Sequence, residues 1–410
     1  MKDKIYNNFF AGGANHPFIL YDFYPQIKSA NGPYLITKNN EQLIDLWMGF
    51  GSVIIGHSHK DFINYLLSQL TNGIMIPSIS KEEMELSKLL VNIIPSAEKI
   101  KLALTGTEVV NYAVKLAKYI TQREKILTIN GSYHGSTLSF PDKILEKYID
   151  KVEFNDFESI EKKLESEEYA ALILEPVMCN KGIILPEENY LKFLKKLCKS
   201  SGTILIFDEV VTGFRIKLGG AQEYYKVKPN ISTFGKSMGN GIPISSIVGE
   251  KTLMDNFMPK GKIFFGGTFY SNLVSISAAL YTLKFLKKNF KKLLNISHYI
   301  VNGIKDCIND LKINITLSNI GSVFYIFFSE NSPRNYLEFL KYEKYGRKVY
   351  EEFVKIALRK GLFLPSLHTE PMFISFAHEE VKDKIVEGMY ESLKELTWCI
   401  LCGKEKDMRI

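Results

Sequence analysis

Lys236 follows a short apolar run and precedes a glycine-rich stretch in residues 230–243, which read NISTFGKSMGNGIP. A lysine at the end of a strand can condense with an aldehyde, and a Gly-Lys-Ser sequence can also form a phosphate-binding loop. That loop requires a glycine at position 230, where this chain has asparagine, and a helix after the lysine, which the following glycines and proline disfavour. The sequence therefore argues against a nucleotide-binding loop and leaves a Schiff-base lysine or an ordinary surface turn.

Other reactive or aromatic residues stand at similar positions along the chain. Each group follows a short apolar run that predicts a strand, and the predicted strands are 100–104, 125–129, 170–174, 203–207 and 231–234. Amphipathic segments separate these strands, which predicts a mostly parallel sheet with helices on both faces. Ligands bind beyond the carboxyl ends of the strands in such sheets. We therefore expect one site that contains Thr105, Gly106, Thr107, Tyr133, His134, Glu175, Asp208 and Lys236.

Two of these groups suit the ends of a phosphorylated aromatic cofactor. Gly106 and Thr107 precede a predicted helix over 109–119, whose free amide hydrogens suit a phosphate dianion. A plain helix cap at Thr105 is an equally good explanation of the same residues. Tyr133 offers an aromatic face that can stack on a planar ring.

Asp208 follows a fully apolar strand, where a carboxylate must find a partner. A protonated pyridine nitrogen is one such partner, and the alternatives are an ion pair with Arg215 or a turn-capping role. Glu175 ends another strand and has the same ambiguity, while His134 is more typical of a structural histidine than of a catalytic one. Together with Lys236, these residues match the needs of pyridoxal 5'-phosphate (PLP).

Length and composition indicate a globular protein of about two domains. The 410 residues are 46% hydrophobic and 24% charged, and 52 basic against 45 acidic residues give a net charge of +7. The densest basic cluster, residues 284–292, has the spacing of an amphipathic helix, so we expect no nucleic-acid partner. No apolar run has the length of a membrane span, so we expect no membrane partner.

The five cysteines are an odd number without a preceding signal peptide, which predicts free thiols in the reducing cytoplasm. Cys399 and Cys402 have the spacing of metal ligands, but no second pair lies nearby, so we expect no metal site.

We expect three segments: 1–60 as the N-terminal part of a small domain, 61–285 as a large cofactor-binding domain, and 286–410 as the C-terminal part of the small domain. Strands are predicted at 34–37, 42–47 and 321–328, and helices near 274–310, 345–360 and 379–396.

Six motifs, taken in order, resemble the class III (fold-type I) aminotransferases, and most closely the glutamate-1-semialdehyde aminomutase group. The matching motifs are Gly106-Thr107-Glu108, Tyr133-His134-Gly135, Glu175-Pro176-Val177 with Asn180, residues 207–215 (FDEVVTGFR), Gly235-Lys236, and Gly267-Thr268 with Asn272. The resemblance runs from about Gly12 to about Glu391. It implies a large domain with a mostly parallel, seven-stranded type of sheet, a smaller α/β domain from the N- and C-terminal segments, and a homodimer with its site at the interface.

The resemblance also implies roles for individual residues. Lys236 would form the Schiff base with PLP, and Asp208 would keep the pyridine nitrogen protonated. Val210 would pack under the ring, Tyr133 over it, and Asn180 near the phenolic oxygen. The phosphate would be bound by Gly106, Thr107 and, from the neighbouring subunit, Thr268. Glu370 and His134 are the candidate substrate residues.

The chain departs from the aminomutase pattern mainly where substrate is expected to bind. Ile19 stands where that group carries an arginine for the substrate carboxylate, although Glu370 and residues 375–378 keep the aminomutase-like pattern. We therefore predict an aminotransferase that uses an amine and a small aldehyde or ketone, such as a sugar-related or specialised-metabolite precursor. The alternatives are an aminomutase that moves the amino group within one molecule, and a non-catalytic cofactor or nucleotide binder.

Overall fold

The computed structural model describes Ala11 and residues 23–140 and 143–401. Its strands, in chain order, are Ile27–Asn31 (β1), Tyr34–Thr37 (β2), Gln42–Asp45 (β3), Lys99–Ala103 (β4), Lys125–Ile129 (β5), Ile149–Val152 (β6), Tyr169–Leu174 (β7), Ile204–Asp208 (β8), Ile231–Phe234 (β9), Ser245–Gly249 (β10), Thr316–Ile320 (β11), Val323–Phe327 (β12), Leu362–Phe363 (β13) and Met372–Phe373 (β14). Its α-helices, in chain order, are Met48–Gly51 (α1), Lys60–Leu70 (α2), Lys81–Ile93 (α3), Gly106–Thr121 (α4), Gly135–Ser139 (α5), Lys143–Glu146 (α6), Phe157–Leu164 (α7), Tyr190–Ser201 (α8), Ala221–Tyr225 (α9), Lys251–Met254 (α10), Leu273–Leu311 (α11), Tyr336–Arg359 (α12) and Lys382–Leu401 (α13). Short 3-10 helices occupy Lys236–Gly239 and Phe376–Val381.

A seven-stranded sheet forms the centre of the described chain, in the order β4-β10-β9-β8-β7-β5-β6. Strands β9, β8, β7, β5 and β6 pair in parallel, whereas β10 runs antiparallel to both of its neighbours, β4 and β9. All strands except β10 therefore point the same way, which confirms the predicted α/β fold with a mostly parallel sheet. Strands β6 and β10 are not among the predicted strands.

Both faces of this sheet are buried. Along β8, Leu205 and Phe207 belong to one apolar cluster, while Ile204 and Ile206 belong to the other. Successive side chains of a strand point to opposite faces, so the two clusters lie on opposite sides of the sheet. Helix α4 contributes Val109, Ala113 and neighbouring residues to the second cluster. The sheet thereby holds its strand ends in fixed positions.

The N- and C-terminal segments meet in a second, four-stranded sheet of order β1-β2-β3-β13. Strand β13 runs parallel to β3, and Leu362 pairs with Ile44. A third sheet, β11-β12-β14, contains the predicted strand near 321–328. The division into segments 1–60, 61–285 and 286–410 remains a prediction, and its boundary at residue 285 falls within the long helix α11.

The basic cluster at 284–292 lies on α11, as its spacing predicts. Leu286 and Leu293 are buried, while Lys287, Lys288 and Lys291 are exposed. Within the residues that the structure describes, no helix is both long and apolar enough to cross a membrane.

Candidate active site

A cavity of about 580 Å³ opens at the carboxyl ends of the parallel strands. Eight predicted site residues line it, namely Gly106, Thr107, Tyr133, Glu175, Asn180, Asp208, Val210 and Lys236. These residues come from loops that are far apart in sequence but follow β4, β5, β7, β8 and β9. The topology of the sheet therefore brings the predicted groups into one place.

Lys236 follows β9 and begins a single 3-10 turn, Lys236–Gly239. Its φ of 44° is left-handed, a conformation that costs a non-glycine residue roughly 1–2 kcal/mol. Ser237 holds the turn in place because its hydroxyl donates to the carbonyl of Gly213 at 3.0 Å. No α-helix follows the lysine, since the turn ends at Asn240 in the left-handed conformation. The phosphate-binding-loop alternative therefore lacks the helix that it requires.

Asp208 is the last residue of β8 and is buried. Its Oδ1 accepts hydrogen bonds from the Val210 amide at 3.2 Å and the Thr233 hydroxyl at 3.0 Å, and its Oδ2 lies 2.8 Å from His134 Nδ1. The alternative of an ion pair with Arg215 is wrong. The Arg215 guanidinium donates instead to backbone carbonyls, including that of Gly51 at 2.7 Å.

His134 is buried beside Asp208 and is not among the residues that line the cavity. Its Nδ1 contacts the carboxylate, while its Nε2 is buried without a hydrogen-bond partner in the described part of the chain. This contact fixes the orientation of the Asp208 carboxylate. The structure therefore places the candidate substrate residue His134 next to Asp208 rather than at the cavity wall.

The first turn of α4 presents backbone amides to the cavity. Thr105 caps the helix through a reciprocal pair of hydrogen bonds with Glu108, which uses the Glu108 amide. The amides of Gly106 and Thr107 precede this bond and lie in the part of a helix where N–H groups have no helical acceptor. Helix capping and anion binding are therefore compatible here. A Cβ on Gly106 would lie 3.2 Å from the Val210 methyl groups, so glycine lets this residue pass close to the helix start.

Glu175 shapes the loop opposite this helix. Its Oε1 accepts from the Tyr133 amide and its Oε2 from the Cys179 amide, each at 3.0 Å. Burial raises the pKa of the Glu175 carboxyl, while these two backbone donors act in the opposite direction. Glu175 thus positions the backbone that carries Tyr133 and Asn180, both of which line the cavity.

The wall on the other side comes from the N- and C-terminal segments, which sequence reasoning largely missed. Glu370 lines the cavity, and its Oε2 accepts from Trp47 Nε1 at 2.7 Å. Asp45 accepts from the amides of Trp47 and Met48, and it holds a run of left-handed residues that includes Phe50. Strained backbone of this kind concentrates at functional sites.

Three further sequence predictions concern residues that lie outside the cavity or outside the described residues. Thr268 is exposed and is not among the cavity-lining residues of this chain. Ile19 and Cys402 lie outside the residues that the structure describes, so the loop of Ile19 and the Cys399–Cys402 spacing have no structural account. Within the described ranges, no cluster of His, Cys, Asp and Glu is arranged to hold a metal ion.

The residues present fit PLP. The amides at the start of α4 suit its phosphate, a buried carboxylate suits a protonated ring nitrogen, and a lysine suits its aldehyde. The Asp208 carboxylate has four acceptor sites, and three are used by Val210, Thr233 and His134. One acceptor site thus remains for a further donor at the cavity.

Comparisons with known proteins agree with this fit. The model of the family "Aminotransferase class-III" matches residues 21–394. Glutamate-1-semialdehyde 2,1-aminomutase of Saccharolobus islandicus is 37% identical over 95% of this chain and 95% of its own length. The protein of the same name from Archaeoglobus fulgidus is 36% identical over 94% and 97%.

Solved structures agree on the fold. An omega-transaminase from Sphaerobacter thermophilus superposes with a TM-score of 0.87 at 22% identity, over 95% of each chain. A glutamate-1-semialdehyde-aminomutase from Pseudomonas aeruginosa gives a TM-score of 0.81 at 20% identity, over 90% of this chain and 87% of that one. The predicted fold-type I architecture is therefore confirmed. The family match and the relatives show that the chain belongs to the class-III aminotransferase family and is a PLP-dependent transaminase or aminomutase.

Proposed function

We propose that this chain is an aminotransferase that moves an amino group from a separate donor to a small aldehyde or ketone, such as a sugar-related or specialised-metabolite precursor. The observation that carries the proposal is that Lys236, Asp208, Gly106 and Thr107 all line one cavity. When bound, PLP supplies an electron sink for the carbon that loses or gains the amino group.

We assign the binding of the cofactor to residues at the strand ends. Gly106 and Thr107 would hold the phosphate through their amides, with Val210 and Tyr133 on the two faces of the ring. Asp208 would hold the proton on the ring nitrogen, because an ionised, hydrogen-bonded carboxylate stabilises a neighbouring positive charge. Asn180 would lie beside the phenolic oxygen.

Lys236 would act as the base and acid. Its free amine would take a proton from the carbon that bears the donor's amino group and would return that proton later in the transfer. The Ser237 hydrogen bond holds the short turn that carries Lys236, so the amine stays near the carboxyl ends of the parallel strands. Glu370 would contact the substrate, and His134 would act on it only through Asp208.

A homodimer is part of the same proposal. Thr268, which would complete the phosphate site of the neighbouring subunit, lies between the strongly exposed rings of Phe264 and Phe269 in sequence. Contiguous exposed apolar surface marks interaction sites, and we propose that these two rings belong to such a surface. Light scattering of the purified protein should give the mass of a dimer, and Phe269→Glu should shift it toward the monomer. A wild-type mass of one chain would contradict the proposal.

A cytoplasmic location is also proposed. The cysteines that the structure describes, Cys179, Cys198, Cys307 and Cys399, are free thiols, which suits a reducing compartment.

An aminomutase is the second candidate, because the relatives at 34–37% identity carry that name. The two activities differ in whether a separate donor is consumed. The holoenzyme would be incubated with an amino aldehyde and no added amine, with glutamate 1-semialdehyde as the first substrate. Our proposal predicts that the isomer of the amino aldehyde does not accumulate beyond about one equivalent per site, while sustained formation of that isomer would establish the aminomutase.

A further inference from the structure

A second lysine, Lys181, lines the cavity together with Lys236. It is partly buried, and its ammonium donates to the backbone carbonyl of Asn180 at 3.1 Å. Burial lowers the pKa of the Lys181 ammonium, while Glu175, Glu343 and Glu370 act in the opposite direction. No role in holding the cofactor falls to this lysine.

The three neighbouring acids attract Lys181 but are bound to other groups. Glu175 accepts two backbone amides, and Glu370 accepts from Trp47. Glu343 lies 2.5 Å from His368 Nε2. Among the residues that the structure describes, no acid forms an ion pair with Lys181. Within the described part of the chain, the ammonium therefore lies near attractive charges but forms no ion pair with any of them.

The backbone next to Lys181 is fixed by contacts of Gly182, and the side chain itself lies against two aromatic rings. The adjoining residue Gly182 donates its amide to the carbonyl of Thr369 at 2.8 Å, which joins the turn to the loop carrying Glu370. Gly182 has a φ of 71°, and a Cβ there would lie 2.6 Å from the Phe327 ring, so no other residue fits. The ammonium lies 5.7 Å from the ring centre of Tyr336 and 5.9 Å from that of Phe339, within cation–π range.

An ammonium in this position suits an anionic ligand. A lysine has three N–H donors, and one is used by the Asn180 carbonyl. A partly desolvated charge is costly unless it is paired, so a ligand anion on the remaining donors would gain more than at the open surface. The single ammonium can offset the one charge of a carboxylate, whereas a phosphate dianion would leave a second negative charge near Glu343 and Glu370.

We propose that Lys181 binds the carboxylate of the substrate and so selects amino acids or oxo acids over simple amines and aldehydes. This inference rests on the proposed function, since it assigns a substrate class to the same cavity. Lys181 is a specificity-determining residue in this account and takes no part in the proton transfers.

Ligand binding tests the inference without any turnover. Pentanoate and pentanamide have nearly the same shape and no amine or carbonyl group that can react with the cofactor. Calorimetry on the wild-type holoenzyme should give pentanoate a Kd roughly 10- to 100-fold below that of pentanamide, as expected for a charge-assisted hydrogen bond. Lys181→Met, which keeps most of the side-chain volume, should remove this preference. Lys181→Arg should retain most of it.

Lys196→Met provides the matched control, because Lys196 is an exposed lysine on α8 and lies outside the cavity. It should keep the full preference for pentanoate. Lys181→Gln serves as a second neutral variant, and the visible spectrum and melting temperature of each variant show whether it has folded. Equal affinity of the wild type for both ligands, or an unchanged preference in a folded neutral Lys181 variant, would overturn the inference.

A second measurement separates this inference from the proposed function. The holoenzyme would be mixed with 4-aminobutyrate or with butylamine, and the spectral change of the bound cofactor would be followed. The proposed function fails if no amine from a broad panel changes the spectrum, whether or not the protein prefers pentanoate to pentanamide. The carboxylate inference fails if the lysine variant slows the reactions of the acid and of the amine equally.

Discussion

Replacing Asp208 by asparagine removes a charge while keeping the shape of the side chain. The amide oxygen of asparagine can still accept from Val210 and Thr233, which now donate to Oδ1 at 3.2 and 3.0 Å. The new NH₂ group would face His134 Nδ1, which lies 2.8 Å from Oδ2. The imidazole can accept this bond by carrying its hydrogen on Nε2, which has no partner among the described residues. We therefore expect Asp208→Asn to fold and to bind the cofactor.

We expect Asp208→Asn to lower the rate of the reaction rather than the stability of the protein. A neutral amide at position 208 has no charge with which to stabilise a proton on the ring nitrogen. Removal of one preorganised electrostatic group typically costs about 10²–10³ in kcat, or roughly 2.7–4 kcal/mol. The exchanged hydrogen bond with His134 should change the free energy of unfolding by only about 1 kcal/mol. The effect on rate should therefore exceed the effect on stability.

Rapid mixing of the holoenzyme with an amino donor measures this rate, since the spectrum of the bound cofactor changes in one turnover. Asp255→Asn is the control, because Asp255 is paired with Lys260 at the surface, 3.0 Å away, and lies outside the cavity. It should react at the wild-type rate. A rate for Asp208→Asn within about tenfold of wild type, at full cofactor occupancy, would refute the assigned role.

Two further predictions concern stability. Burial lowers the pKa of His378 to about 4, so the unfolded chain protonates first as the pH falls. This histidine therefore contributes stability above its unfolded pKa of about 6.5 and loses up to roughly 3 kcal/mol toward pH 4. Denaturant unfolding at pH 7 and about pH 4.5 should show a smaller loss for His378→Gln than for wild type, and equal losses would contradict the assignment. Arg215→Met should leave the buried carbonyls of Gly51, Val53 and Ile374 without their donor and destabilise the protein by about 3 kcal/mol or more. The exposed Arg359→Met is its control, and similar denaturation midpoints for the two variants would contradict the prediction.

Local patterns predicted the large sheet well. Strands β5 and β9 have the predicted bounds, because each is a short apolar run between helical segments. Strand β10 escaped prediction because it begins with two serines. Their hydroxyls are buried and donate to the carbonyls of Thr105 and Lys101. These acceptors come close to the serines only in the folded sheet, so the sequence does not reveal them. Helix α12 begins at Tyr336, well before the predicted start near 345.

Contacts between distant segments were not predictable. The sequence allowed Arg215 as a partner of Asp208, whereas the folded chain brings Arg215 against Gly51. Glu370 meets Trp47 across 323 positions, so no local pattern reports the pair. Lys181 lies in a turn and would be taken for a solvated lysine. Only the three-dimensional arrangement of the turn places it at the cavity wall.

Chemical trapping identifies the lysine that binds the cofactor, which is the central assignment made for this chain. The purified protein would be reduced with borohydride, which fixes a lysine–cofactor linkage, and then digested for peptide mass spectrometry. We expect a visible absorption band that is lost on reduction, a single cofactor adduct on Lys236, and no adduct in Lys236→Ala. An adduct on Lys181 or elsewhere, or a protein that never takes up the cofactor, would contradict this assignment.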